Sequence, residues 1–274
     1  MSQWFLLFLG LVLLTAPQTK DVHKIAAQKL LVQAQAWLAK GELEKALSDY
    51  DQAIHHDPTL AEAWYGHGVA KFLQADYEAA LVDLDRAIKL KPKEAKTYIA
   101  RGMLRASREE LKLALTDFSQ ALRLNPQNAR AYNYRAAVRF RQQDLAGVIA
   151  DNTHAIRINP HYAEAWNDRG SARYLKEHLD QALADFNEAL KLKPTFAQAY
   201  LNRGLVYLRL GRAEEAEKDF AECLKHDPKL AERIAALKQT TKRQRQSWLP
   251  KSDFTDSIFD TFRSKTALLI ETTQ

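Results

Sequence analysis

The residue types that carry out enzyme chemistry are sparse in this chain of 274 residues. Its single cysteine, Cys223, excludes a disulfide framework and a paired-cysteine metal site. His55, His56 and His178 lack the i, i+4 partner that a helical zinc site requires. The Gly-His-Gly segment at 66–68 is not a phosphate loop, because no strand precedes it. We therefore expect no catalytic residue, no cofactor, no metal and no small-molecule substrate.

Positive charge is the second chemical feature of the chain, with a net charge of +6 and a pI near 9.2. Its densest cluster is Lys238, Lys242, Arg243 and Arg245. Such a cluster can contact acidic partners, nucleic acid or anionic lipid, or it can be a solvated linker. No basic surface interleaved with aromatic residues recurs elsewhere, so nucleic acid is a minor hypothesis.

A period of 34 residues organises most of the chain. Each copy opens with alanine and carries proline at its thirty-second position. The opening alanines are Ala27, Ala61, Ala95, Ala129, Ala163 and Ala197, and the prolines are Pro58, Pro92, Pro126, Pro160, Pro194 and Pro228. A fixed period of this length indicates an array in which each repeat is one supersecondary element.

Within a copy, apolar residues recur at helical spacing and never alternate with period two. In the second copy the pattern predicts two amphipathic helices with a break at 74–76. The residues that carry it are Trp64, Phe72, Tyr77, Leu81, Leu84 and Ile88. Gly68 and Ala80 lie where these helices must cross closely, and proline ends the second helix. One such hairpin cannot bury its own apolar face, so neighbouring copies must stack.

These residues resemble the tetratricopeptide repeat (TPR) family. The matching features are W/Y-x3-G at positions four and eight, alanine at twenty and twenty-seven, and proline at thirty-two, over residues 27–230. The resemblance implies an all-α, right-handed α-solenoid of six helix-turn-helix repeats, with a capping helix at 231–243. The repeats are 27–60, 61–94, 95–128, 129–162, 163–196 and 197–230. It implies protein binding without identifying a partner.

A charged pair recurs with the same period. Position seven is arginine in four copies and position twenty-three is aspartate in all six. The arginines are Arg101, Arg135, Arg169 and Arg203, and the aspartates are Asp49, Asp83, Asp117, Asp151, Asp185 and Asp219. We predict bidentate pairs that fix the packing register of the helices, rather than a ligand site.

In the TPR family, fixed positions of each first helix line a concave groove. Carried over to this chain, they give a candidate peptide-binding set of Tyr65, Phe72, Lys96, Arg130, Asn133, Phe140, Arg141, Asn167 and Tyr174. The two asparagines could hold a peptide backbone, since one amide both donates and accepts. The lysine and the two arginines could pair with a carboxylate. The aromatic residues have an alternative role, packing between adjacent repeats.

Repeat four departs most from the pattern. Ala136 replaces glycine, Val148 replaces alanine and Asn152 replaces an aromatic residue or leucine. Gly147 lies inside the second helix, where glycine costs about 1 kcal/mol relative to alanine. We therefore predict a softer joint at 144–152.

The two ends of the chain fall outside the period. Residues 1–20 contain an uncharged apolar stretch at 4–16, which fits a signal peptide, an uncleaved membrane anchor or an internal packing helix. Residues 21–26 form a lead-in. An exported, periplasmic or membrane-anchored location is expected, with a cytoplasmic one as the alternative.

The tail at 244–274 carries Phe254, Ile258, Phe259, Phe262 and Leu269 at helical spacing. It is a candidate partner helix, a segment that docks in the chain's own groove, or a disordered tail.

Three functions remain open at this level. The leading one is a scaffold or adaptor that binds a protein segment in the groove and assembles an envelope complex. The second is a chaperone-like holder of exported or membrane proteins. The third is a regulatory subunit tethered to membrane or nucleic acid through residues 238–245.

Overall fold

The computed structural model describes the backbone of residues 3–243 and the side chains of residues 21–238. Every regular element within that part of the chain is a helix, which confirms the all-α fold class. The helices are α1 Gln3–Ala39, α2 Leu43–His56, α3 Ala61–Leu73, α4 Tyr77–Leu90, α5 Ala95–Ser107, α6 Leu111–Leu124, α7 Ala129–Arg141, α8 Leu145–Ile158, α9 Ala163–Leu175, α10 Leu179–Leu192, α11 Ala197–Arg209, α12 Ala213–His226 and α13 Ala231–Arg243, with a 3-10 helix at Pro228–Leu230.

The described chain divides into two compact units between Glu109 and Glu110. The N-terminal unit contains α1 to α5 and the C-terminal unit α6 to α13. In each unit a helix packs against the next one in sequence, so the core is built from consecutive hairpins. Among the helices described here, none combines the length and the apolar character that crossing a membrane requires.

The core of the C-terminal unit follows the repeat pattern. Phe140, Phe186, Phe220 and Ile234 belong to one buried apolar cluster to which α7 to α13 contribute. Cys223 lies in the same cluster and is buried, as the sequence predicts. The single thiol is thus a small core residue in this fold.

Glycines at positions six and eight of a first helix leave room for an aromatic ring from an adjacent second helix. A Cβ at Gly170 would lie 2.9 Å from the ring of Phe186, and one at Gly204 would lie 2.7 Å from the ring of Phe220. In the N-terminal unit the ring of Tyr50 fills the space where a Cβ of Gly66 would stand. The predicted close approach of helices is therefore set by ring-on-backbone contacts.

The turn between the two helices of a repeat has one left-handed residue at position fifteen. Gly41 and Gly211 have φ values of +76° and +74°, and Ala75, Glu109, Gln143 and Glu177 have φ values between +62° and +64°. The left-handed region costs a residue with a Cβ roughly 1 kcal/mol relative to glycine. Four repeats therefore carry strain that glycine would relieve.

We expect Gln143→Gly to raise the free energy of unfolding by about 1 kcal/mol, because the backbone already has φ near +62°. Chemical denaturation followed by circular dichroism measures it. Ala146→Gly, three residues later on the exposed surface of α8, is the matched control and should lower stability by about 1 kcal/mol. A loss of stability in Gln143→Gly would show that the turn is not strained.

The predicted arginine–aspartate pairs are present in the C-terminal unit. Arg135 holds Asp151 through Nε at 3.0 Å and Nη2 at 2.7 Å. Arg169 holds Asp185 at the same two distances. Arg203 holds Asp219 at 2.8 and 2.7 Å. Each pair joins the two helices of one repeat, and each aspartate is buried.

The third nitrogen of each arginine extends the pair to the preceding repeat. Arg135 Nη1 donates to Ser119 Oγ at 3.2 Å and Arg169 Nη1 donates to Thr153 Oγ1 at 3.2 Å. Arg203 Nη1 donates to Asn187 Oδ1 at 2.7 Å. One guanidinium therefore fixes both the hairpin and its neighbour.

A second arginine, which the sequence analysis did not identify, reaches two of the same aspartates. Arg139 Nη1 lies 2.8 Å from Asp151 and Arg173 Nη1 lies 2.7 Å from Asp185. These arginines stand one helical turn after Arg135 and Arg169 on the same helices. The i, i+4 spacing of arginines was the signal that could have found them.

In repeat two, which belongs to the N-terminal unit, histidine takes the place of arginine. His67 Nδ1 lies 2.7 Å from Asp83 and its Nε2 lies 3.3 Å from Asp51 in the preceding repeat. Arg101 donates to Asp85 at 2.6 Å. The link to the preceding repeat is therefore retained in this unit as well.

Arg169→Leu should lower the free energy of unfolding by about 2 kcal/mol, since it leaves the buried Asp185 with Arg173 as its remaining arginine. Urea denaturation measures the change. Arg123→Leu, at an exposed position of α6, is the control and should change the free energy of unfolding by no more than about 0.5 kcal/mol. Unchanged stability with loss of partner binding would assign the pair to a ligand site instead.

Candidate peptide-binding face

The N-terminal unit contains three of the predicted site residues. Tyr65 and Phe72 are buried, and Phe72 packs against Tyr77 with ring centroids 5.8 Å apart. Lys96 is half-buried, and its Nζ lies 5.0 Å from the centroid of the Tyr65 ring. The two aromatic residues therefore take part in packing within this unit, the alternative role that the sequence left open.

In the C-terminal unit, Asn133 of α7 is the centre of a hydrogen-bond cluster. Its Nδ2 donates to Asn152 Oδ1 at 2.8 Å and to Asp168 Oδ2 at 2.7 Å. Its Oδ1 accepts from the hydroxyl of Tyr162 at 3.0 Å. One amide therefore joins α7 to α8, to α9 and to the turn before α9.

The cluster continues from α9 to α11. Asn167 Nδ2 donates to Asp168 Oδ1 at 3.2 Å, and Asn167 Oδ1 accepts from Asn202 at 2.9 Å. Asn202 also donates to Ser171 Oγ at 3.2 Å and accepts from Gln198 at 2.9 Å. We call the chain of six side chains the polar ladder; its members are Asn152, Asn133, Asp168, Asn167, Asn202 and Gln198.

Burial makes the polar ladder a strong constraint. Asn133 is 0% exposed and Asn167 is 1% exposed. In such surroundings an amide without a partner costs roughly 1–3 kcal/mol, so the paired arrangement is strongly preferred over any shifted one. The ladder therefore fixes the register of α7, α9 and α11.

The electrostatics of Tyr162 keep one end of the cluster protonated. Burial raises the pKa of the Tyr162 hydroxyl well above its ordinary value, and the charges of Tyr134, Asp168 and Glu164 raise it further against the opposing effect of Arg130. The hydroxyl is thus a permanent donor to Asn133 at ordinary pH.

The helices α7, α9 and α11 also carry four side chains that are not fully buried, which we call the basic rim. Arg130, Arg141 and Tyr174 are partly buried, and Arg209 is exposed. Partial burial lowers the pKa of the Arg141 guanidinium, which marks its surroundings as partly desolvated. Arg209 lies 3.1 Å from the carboxylate of Glu177. The rim combines guanidinium groups with an aromatic surface.

The structure thus divides the predicted residues of the C-terminal unit by role. Asn133 and Asn167 meet at Asp168, and their amides are used in hydrogen bonds inside the chain. Phe140 is 3% exposed and belongs to the apolar core. Direct contact of these three with a peptide stays a prediction, whereas Arg130, Arg141 and Tyr174 lie on the rim.

Asp168 and Asn202 belong to the site but are not among the residues that the sequence predicts for it. Both stand at position six, directly after the groove position of their first helix. The signal was the recurrence of polar residues at positions five and six of consecutive first helices. The sequence of one helix does not show which residue of the next repeat such a side chain will meet. The hydrogen bonds between repeats follow only from the stacking of the helices.

One departure of repeat four from the pattern, Asn152, contributes a member of the polar ladder. Asn152 stands at position twenty-four, where the other repeats bury Tyr50, Leu84, Phe118, Phe186 and Phe220. Ala136 fits at position eight of this repeat, where no ring of the same repeat needs a glycine. The substitution exchanges an apolar contact for one hydrogen bond, from Asn133 to Asn152 Oδ1, and leaves the buried Nδ2 of Asn152 without a partner among the described residues.

Gly147 has a local packing role in the same repeat. Its N–H donates to the N-cap carboxylate of Asp144 at 2.9 Å, and its carbonyl accepts from Arg139 at 3.3 Å. A Cβ would lie 2.6 Å from Cδ of Arg139. Glycine here lets Arg139 cross α8 toward Asp151, and the softer joint at 144–152 stays a prediction.

Within the basic cluster at 238–245, the structure describes only the side chain of Lys238. Lys238 contacts the carboxylate of Glu217 and stands 5.3 Å from the ring centroid of Phe220, so it packs α13 onto α12. The side chains of Lys242, Arg243 and Arg245 lie outside the described residues, as do the apolar side chains at 4–16 and the tail stripe at 254–269.

Family comparisons match the repeats directly. The model described as "TPR repeat" matches residues 34–74, 104–143 and 170–211. Two models described as tetratricopeptide repeats match 61–94 and 197–230, and together the matches cover more than half of the chain. The chain belongs to the tetratricopeptide repeat family. Its repeats support a role as a protein–protein interaction scaffold, in a family that is generally non-catalytic.

Solved structures of TPR proteins share the fold. Pseudomonas aeruginosa PilF has a TM-score of 0.68 at 14% identity, covering 75% of this chain and 94% of that chain. PilW, titled a type IV pilus biogenesis factor, has a TM-score of 0.67 at 17% identity, covering 74% and 94%. YrrB, titled a TPR protein with an unusual peptide-binding site, has a TM-score of 0.57 at 22% identity, covering 69% and 97%. At these identities the likeness shows the fold alone, and no curated protein sequence matches the chain.

Asp168→Leu should lower the free energy of unfolding by about 3 kcal/mol, because the buried amides of Asn133 and Asn167 would both lose an acceptor. Asp180→Leu in the exposed first turn of α10 is the control, and it should cost about 1 kcal/mol or less. Thermal or urea denaturation measures both variants. Equal effects of the two substitutions would show that the polar ladder does not constrain the fold.

Proposed function

We propose that this chain is a scaffold or adaptor that binds a protein segment on the face formed by α7, α9 and α11. The observation that supports it is the polar ladder, which holds these three helices in register beneath the basic rim. A face that is ordered before binding loses less conformational entropy on binding, so it can recognise a short segment with few contacts.

The chemistry of the rim favours a segment with an acidic group and apolar anchors. Arg130 and Arg141 each present a planar fork of donors that matches a carboxylate in two-point contact. The partly desolvated setting of Arg141 strengthens such a pair relative to one in open water. Tyr174, Leu175 and Leu208 are partly buried and offer apolar surface beside the arginines.

In the N-terminal unit, Lys96 on the ring of Tyr65 is a second candidate contact for a carboxylate. Its Nζ stands over an aromatic face, which restricts the lysine side chain. We include it as the predicted contribution of that unit to peptide recognition.

An exported or membrane-anchored location, predicted from residues 1–20, suits a scaffold of an envelope complex. PilW, a protein of this fold, is a type IV pilus biogenesis factor. The partner of the present chain is best defined by direct capture in its own host.

The test is photo-crosslinking in the native host from a benzoylphenylalanine at Tyr174, which lies on the rim, whereas Phe140 is buried. We expect a discrete protein whose crosslinked segment contains Asp or Glu. Arg130→Glu/Arg141→Glu should reduce capture at least tenfold through charge repulsion, while Arg123→Glu on α6 should not.

Other outcomes identify the competing functions. Capture of many unrelated unfolded chains, insensitive to the rim charges, would indicate a holder chaperone. Binding that depends steeply on salt but is unaffected by the rim variants would indicate tethering through residues 238–245.

A further inference from the structure

We propose that the outer face of α1 binds an amphipathic helix of a partner protein, in the way that each later first helix receives the second helix of the preceding repeat. The inference concerns the N-terminal unit and does not depend on the face formed by α7, α9 and α11. We call the surface the end face; its members are Val22, Ile25, Lys29, Val32, Gln33 and Ala36.

The end face is apolar and exposed. Val22, Ile25 and Val32 are 63%, 70% and 58% exposed, and their spacing of three and seven residues puts them on one side of α1. The described side chains of α13, by contrast, include no exposed large apolar residue. Terminal repeats of such arrays need a polar outer surface for solubility, so an apolar one indicates that another molecule covers it.

The same positions are covered in every later repeat. Positions three, six and ten of the first helix are exposed in repeat one, as Lys29, Val32 and Ala36, and they are buried in all of repeats two to six. Each of those later first helices packs against the second helix of the preceding repeat. Residues 3–26 continue α1 as one helix, so they do not supply such a neighbour for repeat one.

The interfaces between repeats show which kind of helix fits a first-helix face. The large residue at position twenty-four of a second helix lies against position six of the next repeat, as the rings of Phe118 and Tyr134 do with centroids 6.0 Å apart. The oxygen-bearing residue at position twenty-five contacts position seven, as Asp85 does with Arg101 at 2.6 Å. In repeat one these two positions are Val32 and Gln33.

A third contact distinguishes the end face from the internal interfaces. The residue at position twenty-eight meets position three of the next repeat: Ile156 shares a buried apolar cluster with Ala165, and Leu190 shares another with Ala199. In repeat one, position three is Lys29. Burying its ammonium against an apolar side chain would be costly, so the covering helix needs an acidic residue at this point.

The partner helix is thereby defined at three points. A large apolar residue faces Val32, and an oxygen-bearing residue directly after it accepts from the amide of Gln33. An acidic residue three positions further on pairs with Lys29. The end face from Val22 to Ala36 is about 21 Å long, which matches a helix of 14 residues such as α2.

A second copy of this chain does not offer such a helix. All six of its second helices have isoleucine or leucine at the point that faces Lys29. The end face therefore selects a helix from a different protein.

The test uses a defined helix, a fluorescein-labelled peptide of residues 77–90 with Ile88→Glu. Leu84, Asp85 and Ile88→Glu supply the three points. A hydrocarbon staple joins positions 78 and 82, which are exposed in α4, because an unstapled peptide of this length is barely helical in water. In fluorescence anisotropy it should bind the purified full chain about tenfold more tightly than the stapled peptide that keeps Ile88.

Variants of the chain locate the binding surface. Ile25→Ser/Val32→Ser should weaken binding about tenfold, whereas Val82→Ser, at a 66% exposed position of α4 in the same unit, should leave it unchanged. Lys29→Ala, which restores the residue of most later repeats, should reverse the preference between the two peptides. Circular dichroism melting curves confirm that each variant is folded.

Further outcomes would overturn the proposal. These are absence of saturable binding, equal affinity for the two peptides, or binding that Ile25→Ser/Val32→Ser leaves unchanged. Binding removed by Arg130→Glu/Arg141→Glu would place the helix on the face of α7, α9 and α11 instead. A dimer in sedimentation velocity that Ile25→Ser/Val32→Ser disrupts would assign the end face to a second copy, and loss of binding to anionic vesicles in that variant would assign it to a lipid surface.

Discussion

A guanidinium that holds one buried carboxylate and also contacts the preceding repeat is the interaction on which the C-terminal unit depends. Arg169 is the representative case, with two bonds to Asp185 in its own repeat and one to Thr153 before it. A buried aspartate is costly unless it is paired, so the bidentate geometry leaves few alternative alignments of the helices. Apolar packing brings the hairpins together, and the charged pairs determine how far each can slide along its neighbour.

The same logic extends from the charged pairs to the polar ladder. Asn152, at a position that elsewhere holds a large apolar side chain, exchanges dispersion contacts for one hydrogen bond from Asn133. Asp168 then receives an amide from each of two adjacent first helices. The bond from Asn133 to Asn152 joins α7 to α8 at the point where repeat four departs from the family pattern. A local departure from the consensus is thus explained by the contacts it creates in the next repeat.

Particular residues show how far the sequence alone predicts the structure. The break at 74–76, the burial of Cys223 and the pairing of Arg203 with Asp219 follow from periodicity and composition, and all are seen. The assignment of Phe140 and Asn133 to a peptide-binding groove rests on helix position and stays a prediction, although both side chains are buried. The position of a residue in a helix gives the direction of its side chain. Its burial depends on which side chains of the neighbouring repeat pack against it. Arg173 was missed because its partner, Asp185, already had a predicted arginine.

The amino-acid sequence by itself determined the period, the helical hairpin of each repeat and the family, because these depend on local spacing and on residues such as glycine and proline that act within one repeat. Tertiary structure alone decided which polar residues are buried in hydrogen bonds between repeats and which lie at the partly exposed rim. Asn133, Asp168 and Asn202 lie about one repeat apart in the chain, and their hydrogen bonds join helices that touch only after stacking. The energy of such bonds depends on burial and on angstrom-scale register, which are properties of the packed repeats rather than of any single one.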